Sequence, residues 1–185
     1  MTFHLPTDFT EELGAWRGST IRGMTRMLYD NPASIPSLYG LQESKVFSHF
    51  SAPLLFALDR SQIFCIDVDT QQASVVLSKQ LPESGQPNKS IFQVECSDSV
   101  YSEQKFLSVV GAVIQEVVIY IRQPKNKRLE LRARQAGVGI KLDNGQQLVL
   151  SCGLHDGSDD FSVLFVDDIP VDLQKAMEEH HIHSL

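Results

Sequence analysis

Cysteine is scarce and unpatterned. Cys65, Cys96 and Cys152 are the only three, and no CxxC spacing joins them. An odd, widely spaced set gives no disulfide framework and no zinc motif, and it suits free thiols in a reducing compartment. Phosphate loops are missing too: there is no GxxxxGK[ST] and no GxGxxG, and Gly137-Val138-Gly139 leads into a strand-like run rather than a helix. Neither a GxSxG elbow nor an HExxH pair occurs. Long apolar runs are absent as well. The richest stretch, 109–121, is broken by Gln115 and Glu116 and is too short to cross a bilayer. The first residues carry no basic region ahead of an apolar core, so no signal peptide is expected and the location expected is the cytoplasm.

What is present describes a globular chain. Of 185 residues, 42% are hydrophobic and 21% charged, enough for a core without disulfides or metal. The net charge of −7 excludes a general nucleic-acid binder, which needs positive potential to recruit phosphates.

β-strand patterns dominate. Runs at 53–58 and 62–68, joined by Asp59-Arg60-Ser61, read as a hairpin, and 73–77 and 91–95 read as further strands. From 19 to 29 a strand would place Ile21, Gly23, Thr25, Met27 and Tyr29 on one face and Arg22 and Arg26 on the other. The β-branched stretch 109–122 predicts a long strand. Between 128 and 134 Arg128, Glu130, Arg132 and Arg134 alternate with Leu129, Leu131 and Ala133, the pattern of a half-buried strand. Asn144-Gly145 between two apolar runs predicts a hairpin, and 161–166 one more strand. A short helix is expected after Asp8, stopping at Gly14. A closing helix is expected from Pro170, with Ile169, Leu173, Ala176, Met177 and His180 docked on the sheet. The expected fold is α+β, mostly antiparallel sheet, in a single compact domain over 1–185.

The halves 1–80 and 91–185, separated by a Pro- and Gly-bearing linker at 80–90, echo each other. Gly18-Ser19-Thr20-Ile21 and Gly111-Ala112-Val113-Ile114 each open a strand that leads to a hairpin of the form apolar–Asp–x–x–Gln–apolar. The echo points to two duplicated β-modules.

The chemistry-bearing residues gather late in the chain. Cys152 and His155 could form a thiol–imidazole couple, although neighbours on an extended strand point to opposite faces. Asp156, Asp159 and Asp160 could bind a hard cation, but they lack the ligand spacing of an EF-hand and suit a solvated turn. His180, His181 and His183 lack the i, i+4 spacing of helical metal ligands. No catalytic residue, metal or cofactor is therefore assigned.

Charge is segregated. Residues 122–141 hold seven basic side chains against Glu130 alone, and 142–185 hold nine acids against Lys175 alone. The two runs either neutralise each other within the fold or form a recognition surface. In the second case Asp156, Asp159, Asp160, Asp167 and Asp168, with Arg128, Arg132 and Arg134, would meet a basic partner protein. RNA is a weaker fit, because no aromatics interleave with the basic run.

The Val/Ile strand, the segment Ile140-Lys141-Leu142-Asp143-Asn144-Gly145-Gln146-Gln147-Leu148-Val149-Leu150 and the acidic stretch after it resemble small bacterial immunity-type proteins encoded beside toxin genes. The resemblance covers about residues 109–170. It implies a non-enzymatic protein that binds and blocks a basic, toxin-like partner, and it assigns no residue a role. Two other readings stay open: a small-ligand-binding β fold with a pocket between sheet and C-terminal helix, and a hydrolase-type enzyme using Cys152 and His155.

Overall fold

The computed structural model describes residues 2–59, 61–80, 91–124 and 126–182. It is α+β and mostly antiparallel sheet. Among the described residues, ten strands form two five-stranded sheets, β4-β3-β2-β1-β5 and β10-β6-β7-β8-β9. The first sheet comprises β1 (Ile21–Leu28), β2 (Leu54–Leu58), β3 (Ile63–Asp69), β4 (Ser74–Ser78) and β5 (Phe92–Glu95). The second comprises β6 (Ile114–Arg122), β7 (Gln135–Leu142), β8 (Gln147–Cys152), β9 (Phe161–Phe165) and β10 (Met177–His181). Five short helices accompany them: α1 (Thr10–Gly14), α2 (Ile35–Tyr39), α3 (Val46–His49), α4 (Lys127–Glu130) and α5 (Val171–Lys175). The linker expected at 80–90 lies, apart from Gln80, outside the described residues.

Each sheet is a four-stranded meander whose fifth strand pairs with the free side of the first. The likeness extends to individual hydrogen bonds. The two openings Gly18–Ile21 and Gly111–Ile114 pair with each other. Gly18 N donates to Ile114 O as Gly111 N donates to Ile21 O, and Ile21 N donates to Ala112 O as Ile114 N donates to Ser19 O. Asp59 N reaches Thr20 O and Asp143 N reaches Val113 O, each at 2.9–3.0 Å. Both hairpins close with a Leu-to-Gln bond, Leu58–Gln62 and Leu142–Gln146. Both place a left-handed residue third in a three-residue loop, Ser61 (φ 59°) and Gly145 (φ 83°). Register breaks at matching positions, after Ile21 and after Ile114. The two halves are thus modules of one topology related by an approximate two-fold axis through the Thr20–Val113 bridge.

A continuous apolar cluster runs through both modules, with Trp16, Phe56 and Phe64 from the first and Ile119, Val138 and Phe161 from the second. A smaller cluster on the outer face of the second sheet joins Val118, Tyr120, Val149 and Leu164 to Ile169 and Leu173. The space expected as a ligand pocket under the C-terminal helix is filled by these side chains.

Four local expectations are corrected. The closing helix ends at Lys175, and Met177–His181 instead pairs with Val118–Arg122. The free edge of β6 offers a ladder of backbone partners that a helix rich in histidine, a modest helix former, cannot match. Arg128 to Arg134 is not a strand. Asn126 caps α4 by accepting from Leu129 N, and Leu131 is 89% exposed. The β-branched run enters its strand only at Ile114, because 109–113 forms the turn that bridges to Thr20. In β1 the register break after Ile21 shifts the alternation, so Met24, Arg26 and Leu28 point inward and Arg26 is fully buried.

Candidate functional site

Where two modules share a scaffold, their differences stand out. The β1–β2 connection, 29–53, carries α2 and α3, whereas its counterpart 123–134 carries only α4. The turn between β3 and β4, 70–73, becomes the longer loop 153–160 between β8 and β9. The two longer segments meet. The rings of His49, ending α3, and His155, in the loop, lie edge to face with centroids 5.4 Å apart. Beside them Phe161 N donates to Ser51 Oγ at 2.9 Å. Arg26, whose counterpart is Ile119, fixes this junction from beneath: Nε donates to Phe47 O at 3.0 Å and Nη1 to Ala52 O at 2.7 Å. Its Nη2 has no partner among the described residues. Burial pushes its pKa down to about 9, with Asp67 opposing, so the group stays charged at neutral pH.

Polar contacts extend from the histidines across α3. Ser48 Oγ lies 2.7 Å from His49 Nδ1 and donates to Glu103 Oε2 at 3.2 Å. Lys45 Nζ meets Glu103 Oε1 at 2.8 Å, and Lys105 Nζ lies 3.4 Å from Glu103 and 2.6 Å from Asp168. Burial, helped by the charges of Lys45 and His155, pushes His49 down to about 4. Burial raises the Glu103 and Asp168 carboxyls, yet the lysine hydrogen bonds and charges outweigh it and hold both below the ordinary range.

The 153–160 loop is pinned at its base, with Gly153 N donating to Asp160 O and Gly157 N to Gly153 O, both at 2.8 Å. Asp156 accepts from Ser158 N at 2.8 Å, and its Oδ1 lies 3.3 Å from His155 Nε2. Asp159 and Asp160 are exposed with no basic side chain within 4 Å among the described residues. Asp167 and Asp168 sit beyond the other end of β9, and Asp168 is occupied by Lys105 and by Phe165 N. The structure therefore brings Asp156, Asp159 and Asp160 together and leaves Asp167 and Asp168 apart.

The basic residues reach the same end of the second sheet but serve the fold. Arg132 Nη1 donates to Thr70 O at 3.3 Å, and Arg134 Nη1 to Arg122 O at 3.0 Å. Of the three arginines, Arg128 alone is exposed, on α4, with no side-chain partner among the described residues.

Cys152 and His155 do not form a couple. The thiol is buried, its Sγ lies 3.8 Å from Asp159 O, and burial pushes its pKa up to about 12. His155 Nδ1 instead meets Ser162 Oγ at 3.1 Å, itself 2.6 Å from Ser151 Oγ. Both serines are fully buried, so this Ser–His–Asp contact has no route to a substrate.

Residues 29–39 add an exposed apolar patch: Tyr29, Leu38 and Tyr39 are 49%, 67% and 56% exposed. The Tyr39 ring packs edge-on against Phe50, centroids 5.0 Å apart, and its hydroxyl donates to Asp30 at 3.2 Å. A continuous path thus leads from Tyr39 through Phe50 and His49 to His155 and Asp156. Neither His49, Ser48 and Glu103 nor the Tyr39 patch was legible in the sequence. His49, Ser48 and Tyr39 lie in an irregular segment without periodicity that only the unequal lengths of the two β-connections mark, and Glu103 lies in the stretch between β5 and β6.

Among the described residues no helix is long and apolar enough to cross a membrane. No group of three or more His, Cys, Asp and Glu side chains that could hold a metal ion occurs among them. Compared with known protein families, with curated proteins and with solved structures, the chain matches none.

Proposed function

We propose that the chain is a non-enzymatic, immunity-like binding module of the cytoplasm. It holds a basic partner protein on the face made by residues 29–50 and the 153–160 loop. One observation carries the reading: the two segments that distinguish otherwise matching modules converge at the His49–His155 contact, one bearing the exposed Leu38 and Tyr39 and the other three exposed acidic side chains. Tyrosine-centred apolar contacts with a charged rim suit protein recognition. The acids would steer a partner of opposite charge and make association sensitive to salt. The buried, protonated Cys152 and the enclosed Ser162 favour this reading over the hydrolase. Three buried free thiols accord with a reducing compartment.

The test compares capture from extract of the source cells by the wild-type chain, by D156N/D159N/D160N and by Leu38→Ala/Tyr39→Ala. A single basic protein held at low salt by the wild type, and shed by high salt and by both variants, is the expected result. Identical capture by all three chains, or none by any, overturns the reading.

A further inference from the structure

His49 belongs to the first module and His155 to the second, and their rings form the polar contact between the segments that build the proposed face. Their ring nitrogens are engaged on different sides. The Ser48 hydroxyl, which donates to Glu103 Oε2 at 3.2 Å, lies 2.7 Å from His49 Nδ1. His155 Nδ1 is engaged with Ser162. The groups facing His49 are mostly cationic or neutral: Lys45 and Ser48 from its own segment, Lys105 and Glu103 from 103–108, and His155 and Asp156 from the loop. Buried Arg26 adds a further positive charge beneath, through its bonds to Phe47 and Ala52.

We propose that the His49–His155 contact is a pH-sensitive latch that holds residues 46–52 against β9 and the 153–160 loop while His49 is neutral and releases them when His49 takes a proton. Protonating His49 would add a positive charge to a half-buried seam that already holds Lys45 and Lys105. Glu103 offsets only part of that charge, because both lysines and Ser48 already engage its oxygens. Burial, with Lys45 and His155, resists protonation of His49 in the closed form, so each proton taken up favours the open form. Acid would then separate the two parts of the face. That consequence for a partner rests on the proposed function, whereas the latch belongs to the free protein.

Amide hydrogen exchange on the free wild-type chain tests it. The reporters are Phe47 N, bonded to Tyr101 O, and Phe161 N, bonded to Ser51 Oγ, with the β7–β8 amides as internal control. Between pH 7.5 and 5.0 the reporters' protection factors should fall about tenfold or more while the control amides hold. In His49→Gln, which cannot take the proton, they should not change. Protection that is independent of pH, or that falls alike in control amides or in His49→Gln, overturns the latch. Should His49→Gln fail to fold, the wild-type His49 ring titration by NMR decides. The ring must titrate below its ordinary 6.5 while protection is already falling, and a ring that titrates at 6.5 without loss of protection overturns the latch. Because no partner is used, the latch can fail while the partner face stands, and the reverse.

Discussion

The guanidinium carbon of Arg26 lies 4.5 Å from the centre of the Phe161 ring, a cation–π contact between the two modules in the interior of the protein. A fully buried guanidinium with two carbonyl acceptors and no carboxylate within 4 Å among the described residues holds position rather than adding net stability, because desolvation opposes its contacts. Arg26→Ala leaves a cavity and strands the Phe47 and Ala52 carbonyls, and should cost roughly 3–5 kcal/mol. Arg26→Met keeps the length, removes the buried charge and should cost only about 1–2 kcal/mol. Urea unfolding of both variants checks the order. Equal losses would mean that the charge itself stabilises the fold.

The same residue shows where sequence reasoning stops. Strand alternation places Arg26 opposite Ile21, and an arginine there reads as solvent-facing. One inserted residue in the β1–β2 register reverses it, and nothing local announces the insertion. The duplication, by contrast, was legible, because Gly-x-x-Ile and Asp-x-x-Gln each form specific hydrogen bonds that both modules need. Hairpins and the strand Phe161–Phe165 were legible for the same local reason. Met177–His181 was not, since its strand exists only through the edge that β6 supplies. Of the site, the acidic loop could be read, but His49 and Tyr39 come to it through the tertiary fold alone.

The cysteines give a direct check on the hydrolase reading. Burial pushes Cys65 and Cys152 up to about 12 and raises Cys96. For Cys65 and Cys152 the thiolate fraction at pH 8 is then more than about a thousandfold below that of a free thiol. Iodoacetamide should label none of the three in the native protein over hours and all three in urea, as read by intact mass. Rapid native labelling of Cys152 alone would restore it as a nucleophile.

Gly153 and Gly157 separate two kinds of glycine in the acidic loop. Both have positive φ, 65° and 86°, but a Cβ at Gly153 would fall 1.6 Å from Ser158 O, while Gly157 faces open space. Gly153→Ala must rebuild the loop and should cost roughly 2–4 kcal/mol, whereas Gly157→Ala carries only backbone strain, about 1 kcal/mol. Thermal unfolding distinguishes them. Similar small losses would show that the loop base is softer than its hydrogen bonds imply.

Stability should fall with acid in two stages, each with its own group. Burial holds His49 at about 4 in the folded chain, below its ordinary 6.5. Above pH 6.5 the ring is neutral folded or unfolded and has no effect. From 6.5 down to about 4 only the unfolded chain takes the proton, so stability declines as pH falls. Glu103, Asp156 and Asp168 are held below their ordinary values. Their contribution is intact above the unfolded carboxylate range and is lost as pH drops below about 4.5 through their folded values. Asp67 acts in the opposite sense: burial raises its pKa, so its protonation offsets part of the loss as the pH falls. Between pH 7 and 5 the three lowered carboxylates stay ionised in the folded chain, and His49 drives the decline. After discounting for its partial exposure, the loss there should be about 1 kcal/mol. Denaturant midpoints measured at pH 7, 6 and 5 should therefore slope downward in the wild type and be nearly level in His49→Gln. An equal slope in both chains would assign the first stage to another histidine and remove His49 from the account.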